Sequence, residues 1–233
     1  MPLRDRPSPN HGPRPPGTTV DMLILHYTGM ESAAAALDRL TSPEAQVSAH
    51  YLIDEDGTTW RLVAETRRAW HAGVSCWGGR RDVNDRSIGI ELVNPGHEFG
   101  YRDFPETQIA ALETLCREIL ARHRVPPRHV LGHSDVAPQR KADPGERFPW
   151  RRLARAGIGF WPEAVPAAAA PSDTAGVQRL LTAIGYETPQ SGALDAETRN
   201  VVIALQRHFR PARCDGETDA ETRTLIAALA AGI

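Results

Sequence analysis

The chain has 233 residues, which suffices for one or two domains, each with a hydrophobic core of its own. Hydrophobic residues make up 41% and charged residues 24% of the sequence, as is ordinary for a globular protein. The formal net charge of -2 gives no electrostatic basis for binding nucleic acid or an anionic membrane, so we expect neither as a partner.

The N-terminal segment, residues 1–17, is rich in proline and has the sequence MPLRDRPSPNHGPRPPG. Clustered prolines predict a flexible, extended N-terminal arm. The segment lacks the apolar stretch of a secretory signal, and no run in the chain approaches the roughly 20 apolar residues that span a bilayer. We therefore expect no membrane insertion and, for the sequence as written, a cytoplasmic protein.

The next part of the chain alternates between strand-like and helical patterns. Short apolar segments predict strands over 20–28, 87–94 and 128–133, and residues 50–64 predict two strands joined by a hairpin turn at Asp56-Gly57. Residues 105–123 carry apolar side chains at helical spacing, and Pro105 suits a first helical turn. This alternation predicts an α/β domain over residues 18–161, with a central mixed β-sheet flanked by helices.

A change of composition separates a smaller C-terminal part. Residues 162–173 combine prolines with an alanine run, which predicts a linker. After it, GALDAETR (192–199) and GETDAETR (216–223) form an internal repeat, and the aspartate before each Ala-Glu-Thr is a candidate helix N-cap. Together with an earlier amphipathic helix, the pattern predicts a small three-helix domain over residues 174–233.

Three residues of the large domain could hold a metal ion. His26 and His133 each end a predicted strand, a position from which side chains emerge into clefts. Asp143 follows in a loop broken by prolines, which can bring its carboxylate back beside His133. Two imidazoles and one carboxylate form a three-ligand zinc site that leaves a position for water. The alternative is a surface loop in which Asp143 caps the next helix, and spacing alone does not separate the two.

Glu91 is unusual because it lies inside the apolar segment SIGIELVN. A buried carboxylate is costly unless it is paired or functional, and burial raises its pKa. These properties favour a general base that takes a proton from water. The alternative is a structural ion pair with a nearby arginine.

Five segments carry a more specific signal. LILHYTG, SAHYLIDEDG, AWHAGVSCWGG, VNDRSIGIELVN and GHSDVAPQRKADPGERFPW occur in this order within residues 18–155. Together they resemble the type 2 N-acetylmuramoyl-L-alanine amidases, a family related to phage amidase lysozymes and animal peptidoglycan recognition proteins. Residues 174–231 resemble a three-helix peptidoglycan-binding domain through their VQRLL, GY, G-x-x-D-x-x-T and DG pieces.

The resemblance implies one Zn²⁺ per chain, with His26, His133 and Asp143 as its ligands. Glu91 matches the acid that orients and deprotonates the attacking water. Lys141 matches the cation that stabilises the oxyanion of the tetrahedral intermediate.

Two further residues match segments that line the cleft of the family. His71, in AWHAG, and Asn84, in VNDRS, are therefore predicted to bind substrate. Aromatic packing at Trp70 or capping of a turn would explain them as well. His50, in SAHYLI, is predicted to be structural.

The implied activity is zinc-dependent hydrolysis of the amide between N-acetylmuramic acid and the L-alanine of the peptidoglycan stem peptide. The expected partner is peptidoglycan or a muropeptide, with muramic acid in its ordinary or 1,6-anhydro form. Two alternatives stay open, a recognition module without catalysis and a zinc peptidase that cuts within the stem peptide. A wall-binding domain also admits the cell envelope, or release as a phage endolysin, in place of cytoplasmic recycling.

Overall fold

The computed structural model describes residues 3–81, 83–162 and 170–231 of the chain. The strands in these residues are β1 (Leu3–Asp5), β2 (His11–Pro13), β3 (Met22–Tyr27), β4 (Tyr51–Ile53), β5 (Thr59–Arg61), β6 (Arg67–Ala69), β7 (Cys76–Trp77), β8 (Arg80–Arg81), β9 (Ser87–Leu92) and β10 (Val130–Gly132). The α-helices are α1 (Ala33–Thr41), α2 (Val83–Arg86), α3 (Gly96–Phe99), α4 (Glu106–Arg122), α5 (His133–Val136), α6 (Trp150–Arg155), α7 (Thr174–Ile184), α8 (Ala196–Phe209) and α9 (Ala220–Ala231).

Six of the strands form one mixed sheet in the order β1-β5-β4-β9-β3-β10. β4 and β5 pair antiparallel, whereas the other neighbours in the sheet pair parallel. The central strands β3 and β9 are almost entirely buried, which explains their nearly continuous apolar sequences. The predicted α/β fold, with a central mixed sheet flanked by helices and a helical C-terminal part, is confirmed.

The two faces of the sheet bury different helical layers, because successive residues of a strand point to opposite sides. On one face, Leu23 belongs to a cluster with the apolar side of α4. On the other face, Met22 and Ile24 belong to a cluster that includes Leu181 of α7 and Leu205 of α8. The sheet and the C-terminal helices therefore share one hydrophobic core.

The internal repeat gives each of the last two helices the same start. In the first copy, Asp195 accepts the backbone N–H of Thr198 at 2.8 Å, and Gln178 of α7 donates to the Thr198 hydroxyl at 2.9 Å. The second copy repeats these contacts with Asp219, Thr222 and Gln206. The predicted aspartate N-caps are therefore present at both helices.

The described part of residues 1–17, for which the sequence predicts a flexible arm, pairs with strands of the rest of the chain. β1 pairs with β5 at the edge of the sheet, and β2 pairs with β6. The Arg14 guanidinium donates to the carbonyls of Glu65 at 3.0 Å, Asp85 at 2.6 Å and Ser87 at 2.9 Å. The prolines keep the segment extended, and partners distant in the sequence then fix it in place.

Most of the predicted linker, at residues 163–169, lies outside the described residues. The domain limits 18–161 and 174–233 stay a prediction. Among the described helices, none combines the length and the apolar character needed to cross a membrane.

The shared core predicts that the sheet and the C-terminal helices unfold together. Leu205 has no exposed surface, and its truncation in Leu205→Ala should cost about 2–5 kcal/mol. All five tryptophans precede residue 162, and three of them contact the C-terminal part of the chain, so their fluorescence reports the junction between the sheet and the C-terminal helices: Trp77 against Tyr186, Trp150 against His208 and Trp161 against Phe209. We expect the denaturant midpoint measured by tryptophan fluorescence to fall together with the midpoint measured by circular dichroism.

The matched control is Arg179→Ala, an exposed position on α7, which should change stability by less than about 0.5 kcal/mol. An unchanged fluorescence midpoint in Leu205→Ala, with a separate transition for the helices, would contradict the shared core.

Candidate metal centre

Three polar side chains converge where two neighbouring parallel strands end. His26 lies near the end of β3, and His133 directly follows β10. The carboxyl ends of parallel strands meet at one edge of a sheet, where ligands commonly bind. Asp143 returns to this edge from the loop after α5, because its carbonyl accepts the Ser134 N–H at 2.9 Å.

The three ligand atoms lie at nearly equal distances from one another. His26 Nδ1 is 3.0 Å from His133 Nδ1 and 3.0 Å from Asp143 Oδ2, and His133 Nδ1 is 3.1 Å from the same oxygen. Ligands of a tetrahedral zinc ion, at bond lengths of about 2.0–2.1 Å, are separated by about 3.3 Å. The three buried residues could therefore hold a metal ion, and their donor set fits one.

The hydrogen bonds of the His133 ring leave the correct nitrogen free. His133 Nε2 lies 3.0 Å from the carbonyl oxygen of Ala72, so Nε2 carries the proton and donates it. Nδ1 then has the lone pair that a metal requires. Such an outer partner fixes both the tautomer and the orientation of a histidine ligand.

A longer chain of hydrogen bonds sets the tautomer of His26. Ser87 donates its hydroxyl proton to the carbonyl of Val83 at 2.7 Å, so its oxygen accepts from His71 Nε2 at 3.0 Å. His71 Nδ1 is then an acceptor, and the protonated Nε2 of His26 donates a hydrogen bond to it at 3.0 Å. As a result, His26 Nδ1 is unprotonated and faces the other two ligands.

His71 occupies space that a glycine leaves open. A Cβ atom at Gly89 would lie 2.4 Å from Cγ of the His71 ring, so any larger residue would displace it. The loop of His71 is held by Asn84, whose Oδ1 accepts the backbone N–H groups of His71 at 3.1 Å and Ala72 at 2.9 Å.

These contacts bear on the two predicted substrate-binding residues. Asn84 is buried and lies away from the cleft lining, so its amide oxygen supports a loop. His71 borders the cleft, but both of its nitrogens are already hydrogen-bonded. The structure thus gives both side chains contacts that hold the wall behind His26. His50, as expected, is a buried structural residue that accepts the Gly89 N–H through Nδ1 at 3.0 Å.

Charge and burial keep the candidate ligand atoms of His26 and Asp143 unprotonated. Burial, together with the nearby His133, lowers the pKa of His26 to about 4. Burial alone would raise the pKa of Asp143, but the adjacent His133 and His26 lower it well below its usual value. Metal ligands must be deprotonated, so this electrostatic state suits metal binding at neutral pH.

Glu91 lies beside the ligands on the same face of the sheet. It pairs in register with His26 across β9 and β3. Its Oε2 atom is buried and has no hydrogen-bond partner among the described residues. Burial and the charge of Asp143 raise the pKa of Glu91 well above its usual value, whereas Lys141 opposes the shift.

A cleft of about 460 Å³ opens over this group. Its lining includes the five main predicted residues: His26, Glu91, His133, Lys141 and Asp143. The Lys141 side chain makes no hydrogen bond or ion pair with another described residue, so its ammonium group can meet a ligand in the cleft. The volume suits a small ligand rather than a single ion.

Sequence reasoning missed several residues that support the ligands. Arg140 donates to the carbonyls of Ala72 and Val74, and the Ala72 oxygen also accepts from His133 Nε2. Only Gly89 carried a local signal, because a glycine inside a strand often marks a close approach of other groups. Arg140 and Ser87 carried none, since their roles depend on partners distant in the sequence.

Comparison with known protein families gives two matches. A family profile described as N-acetylmuramoyl-L-alanine amidase matches residues 16–146. A second profile, described as a peptidoglycan binding domain, matches residues 171–226.

Two individual proteins show similarity over long stretches. N-acetylmuramoyl-L-alanine amidase AmiD of Escherichia coli is 40% identical over 230 residues, which cover 90% of this chain and 82% of AmiD. 1,6-anhydro-N-acetylmuramyl-L-alanine amidase AmpD of Escherichia coli is 36% identical over 164 residues, covering 63% of this chain and 87% of AmpD.

Two solved structures resemble the whole fold. AmiD complexed with the substrate anhydro-N-acetylmuramic acid-L-Ala-D-γ-Glu-L-Lys has a TM-score of 0.83 at 38% identity, over 97% of this chain and 93% of that chain. AmpDh3 from Pseudomonas aeruginosa, in complex with an anhydromuramic pentapeptide, has a TM-score of 0.84 at 36% identity, over 97% of this chain and 95% of that chain. The similarity therefore includes the C-terminal helices as well as the sheet.

The packing of His71 against Gly89 predicts a steric effect on metal binding. Gly89→Ala should push the His71 ring away from His26 and weaken metal affinity about 10- to 100-fold, as changes beside a ligand do. The affinity is measured by competition with a chromophoric chelator. The matched control is Gly12→Ala in β2, where an added Cβ meets nothing within 4 Å. Equal affinities in the two variants would contradict a supporting role for His71.

Proposed function

Because the chain belongs to the N-acetylmuramoyl-L-alanine amidase family, we propose that it hydrolyses the amide between N-acetylmuramic acid and the L-alanine of the peptidoglycan stem peptide, with zinc as cofactor. The observation that carries the proposal is the buried group of His26, His133 and Asp143, with Glu91 beside it in the cleft. A family member that only recognised its ligand would have no need of this complete donor set and an unpaired buried carboxylate.

Zinc is the metal that the donor set supports best. Two imidazole nitrogens and one carboxylate oxygen are typical of catalytic zinc sites, which keep one position open. When bound, zinc supplies a Lewis acid that polarises a carbonyl group and acidifies water.

Glu91 is the residue that moves the proton. Its Oε2 atom is unpaired, so it can accept a hydrogen bond from the attacking water and then take its proton. The raised pKa of Glu91 makes the carboxylate a stronger base than an exposed glutamate. The protonated acid then delivers the proton to the alanine nitrogen as the amide bond breaks.

Lys141 stabilises the negative charge that develops on the substrate oxygen. Attack on the amide places negative charge on the former carbonyl oxygen, and a fixed cation in the cleft stabilises that charge more than it stabilises the neutral ground state. The side chain of Lys141 lines the cleft without another described partner.

The similar proteins support a more specific substrate class for this chain. AmiD and AmpDh3 were solved with anhydromuramic peptides, and AmpD is named for the 1,6-anhydro form. This supports a muropeptide substrate for this chain, with anhydromuramic ends accepted. The peptidoglycan-binding match at residues 171–226 supports binding of polymeric peptidoglycan through the C-terminal helices.

The proposed roles predict loss of activity without loss of fold. Glu91→Gln removes the base, and His26→Ala removes a ligand, so each should abolish cleavage of a muropeptide. Glu118→Gln, an exposed change on α4, is the control and should retain activity. Circular dichroism checks the fold, and elemental analysis should show zinc in Glu91→Gln but not in His26→Ala.

Mass spectrometry of the products separates the alternatives. An amidase releases an intact stem peptide that begins with L-alanine, whereas a peptidase releases a shortened one. Binding of sacculi by the wild-type chain, with no cleavage, would leave only a recognition module.

Substitution of Lys141 should affect turnover more than binding. In Lys141→Gln, we expect kcat to fall by about 10²- to 10³-fold, as when one oxyanion donor is removed, with little change in zinc affinity. Lys141→Arg keeps the charge and should recover part of the rate. A fall in zinc affinity equal to the fall in kcat would show that Lys141 supports the ligands instead.

A further inference from the structure

Asp135, a buried carboxylate in addition to Asp143 and Glu91, lies two residues after the candidate ligand His133. It belongs to α5, and its side chain has no exposed surface. Such a group is costly unless hydrogen bonds satisfy it. Asp135 accepts three hydrogen bonds, and the origin of the donors shows which parts of the chain depend on it.

Two of the three donors come from the C-terminal part of the chain. The Tyr186 hydroxyl donates to Asp135 Oδ1 at 2.7 Å, and His208 Nδ1 donates to Oδ2 at 2.7 Å. Both side chains are buried. Burial and the nearby Asp135 raise the pKa of Tyr186 well above its usual value, so its hydroxyl keeps the proton that it donates.

The third donor belongs to the ligand-bearing turn itself. The backbone N–H of Gly132, the residue before His133, donates to Asp135 Oδ2 at 2.8 Å. Two residues on, the Ser134 N–H donates to the carbonyl of Asp143 at 2.9 Å. Asp135 is thus tied to a turn whose backbone contacts two of the three metal ligands.

Aromatic packing reinforces the same connection. The His208 ring stacks on Trp150, with centroids 3.7 Å apart and planes 18° from parallel. A Cβ at Gly132 would lie 3.2 Å from Cζ2 of Trp150 and 2.7 Å from Cδ of Pro144, the residue after Asp143. The turn is therefore confined between Asp135, Trp150 and the loop of Asp143.

We propose that Tyr186 and His208 are positioning residues for the metal centre, acting through Asp135 on the turn that carries His133. The C-terminal helices then serve the active site directly, in addition to any contact they make with polymer. This inference rests on the proposed function, because it concerns the same metal centre.

Other contacts between the two parts of the chain do not involve Asp135. Glu187 forms an exposed ion pair with Arg81, and Asn200 donates to the Gln139 side chain at 2.9 Å. These contacts hold the same interface without touching the ligand turn. They provide controls that separate positioning of the turn from simple attachment of the helices.

The first measurement is hydrogen–deuterium exchange of the metal-free full-length chain. Tyr186→Phe and His208→Leu each remove one donor to Asp135, so amides in the segment 132–137 should exchange several-fold faster. Glu187→Gln and Asn200→Ala should leave this segment unchanged. His208→Asn, which keeps a donor near the position of Nδ1, should restore part of the protection.

The second measurement is zinc affinity by chelator competition. We expect a loss of roughly tenfold in Tyr186→Phe and in His208→Leu, at the lower end of the range for outer-shell partners, with partial recovery in His208→Asn. Turnover of a soluble muropeptide should fall in parallel at limiting zinc.

Two results would overturn the proposal: unchanged exchange at 132–137 in both donor variants, or an equal change in the two controls. The exchange readout needs neither zinc nor activity. If the wild-type chain fails to cleave muropeptide, the proposed function is lost, but the exchange data still decide whether Tyr186 and His208 hold the turn.

Discussion

The ligand atoms of His26, His133 and Asp143 lie 3.0–3.1 Å apart in a buried pocket. Burial of each polar group costs free energy unless a hydrogen-bond partner or an opposite charge compensates for the lost water. A proton on either histidine Nδ1 would also block metal binding. The residues around the site supply hydrogen bonds that both compensate for burial and keep each Nδ1 unprotonated. The Ala72 carbonyl accepts a hydrogen bond from Nε2 of His133. His71, itself bonded to Ser87, accepts one from Nε2 of His26, so the Nδ1 atoms of both candidate ligands are left unprotonated.

The sheet makes this arrangement compatible with a stable core. Strands β3 and β9 present apolar side chains to α4 on one face and polar groups to the cleft at the ends of the other face. Gly89 allows the polar site to lie against the packed sheet, because only a residue without a side chain leaves room for the His71 ring. The same strand then carries Glu91 next to His26, so the candidate ligand and the proposed base are partners in the strand register.

Much of this organisation could be predicted from the sequence. The apolar segments predicted strands at the positions of β3, β9 and β10. The position of His26 and His133 at the ends of two of these strands predicted them as candidate metal ligands. Local patterns could not show that Asn84 supports a loop or that residues 3–17 pair with the sheet, because both depend on partners far along the chain. His71 borders the cleft and Asn84 does not, although the resemblance implied a cleft position for both, because a motif match does not show which way a side chain points.

The C-terminal helices illustrate why a family match does not describe every member's architecture. A match that accounts for 87% of AmpD covers only 63% of this chain, so AmpD has little sequence left for comparable helices. In this chain, the same helices bury Met22 and Ile24 and supply two of the three donors to Asp135. Their removal would expose an apolar sheet face and leave a buried carboxylate under-satisfied beside His133. The part of this chain that matches the amidase profile therefore depends on the C-terminal helices for part of its core and for the hydrogen bonds of Asp135. A version of this chain without those helices is not physically equivalent to AmpD.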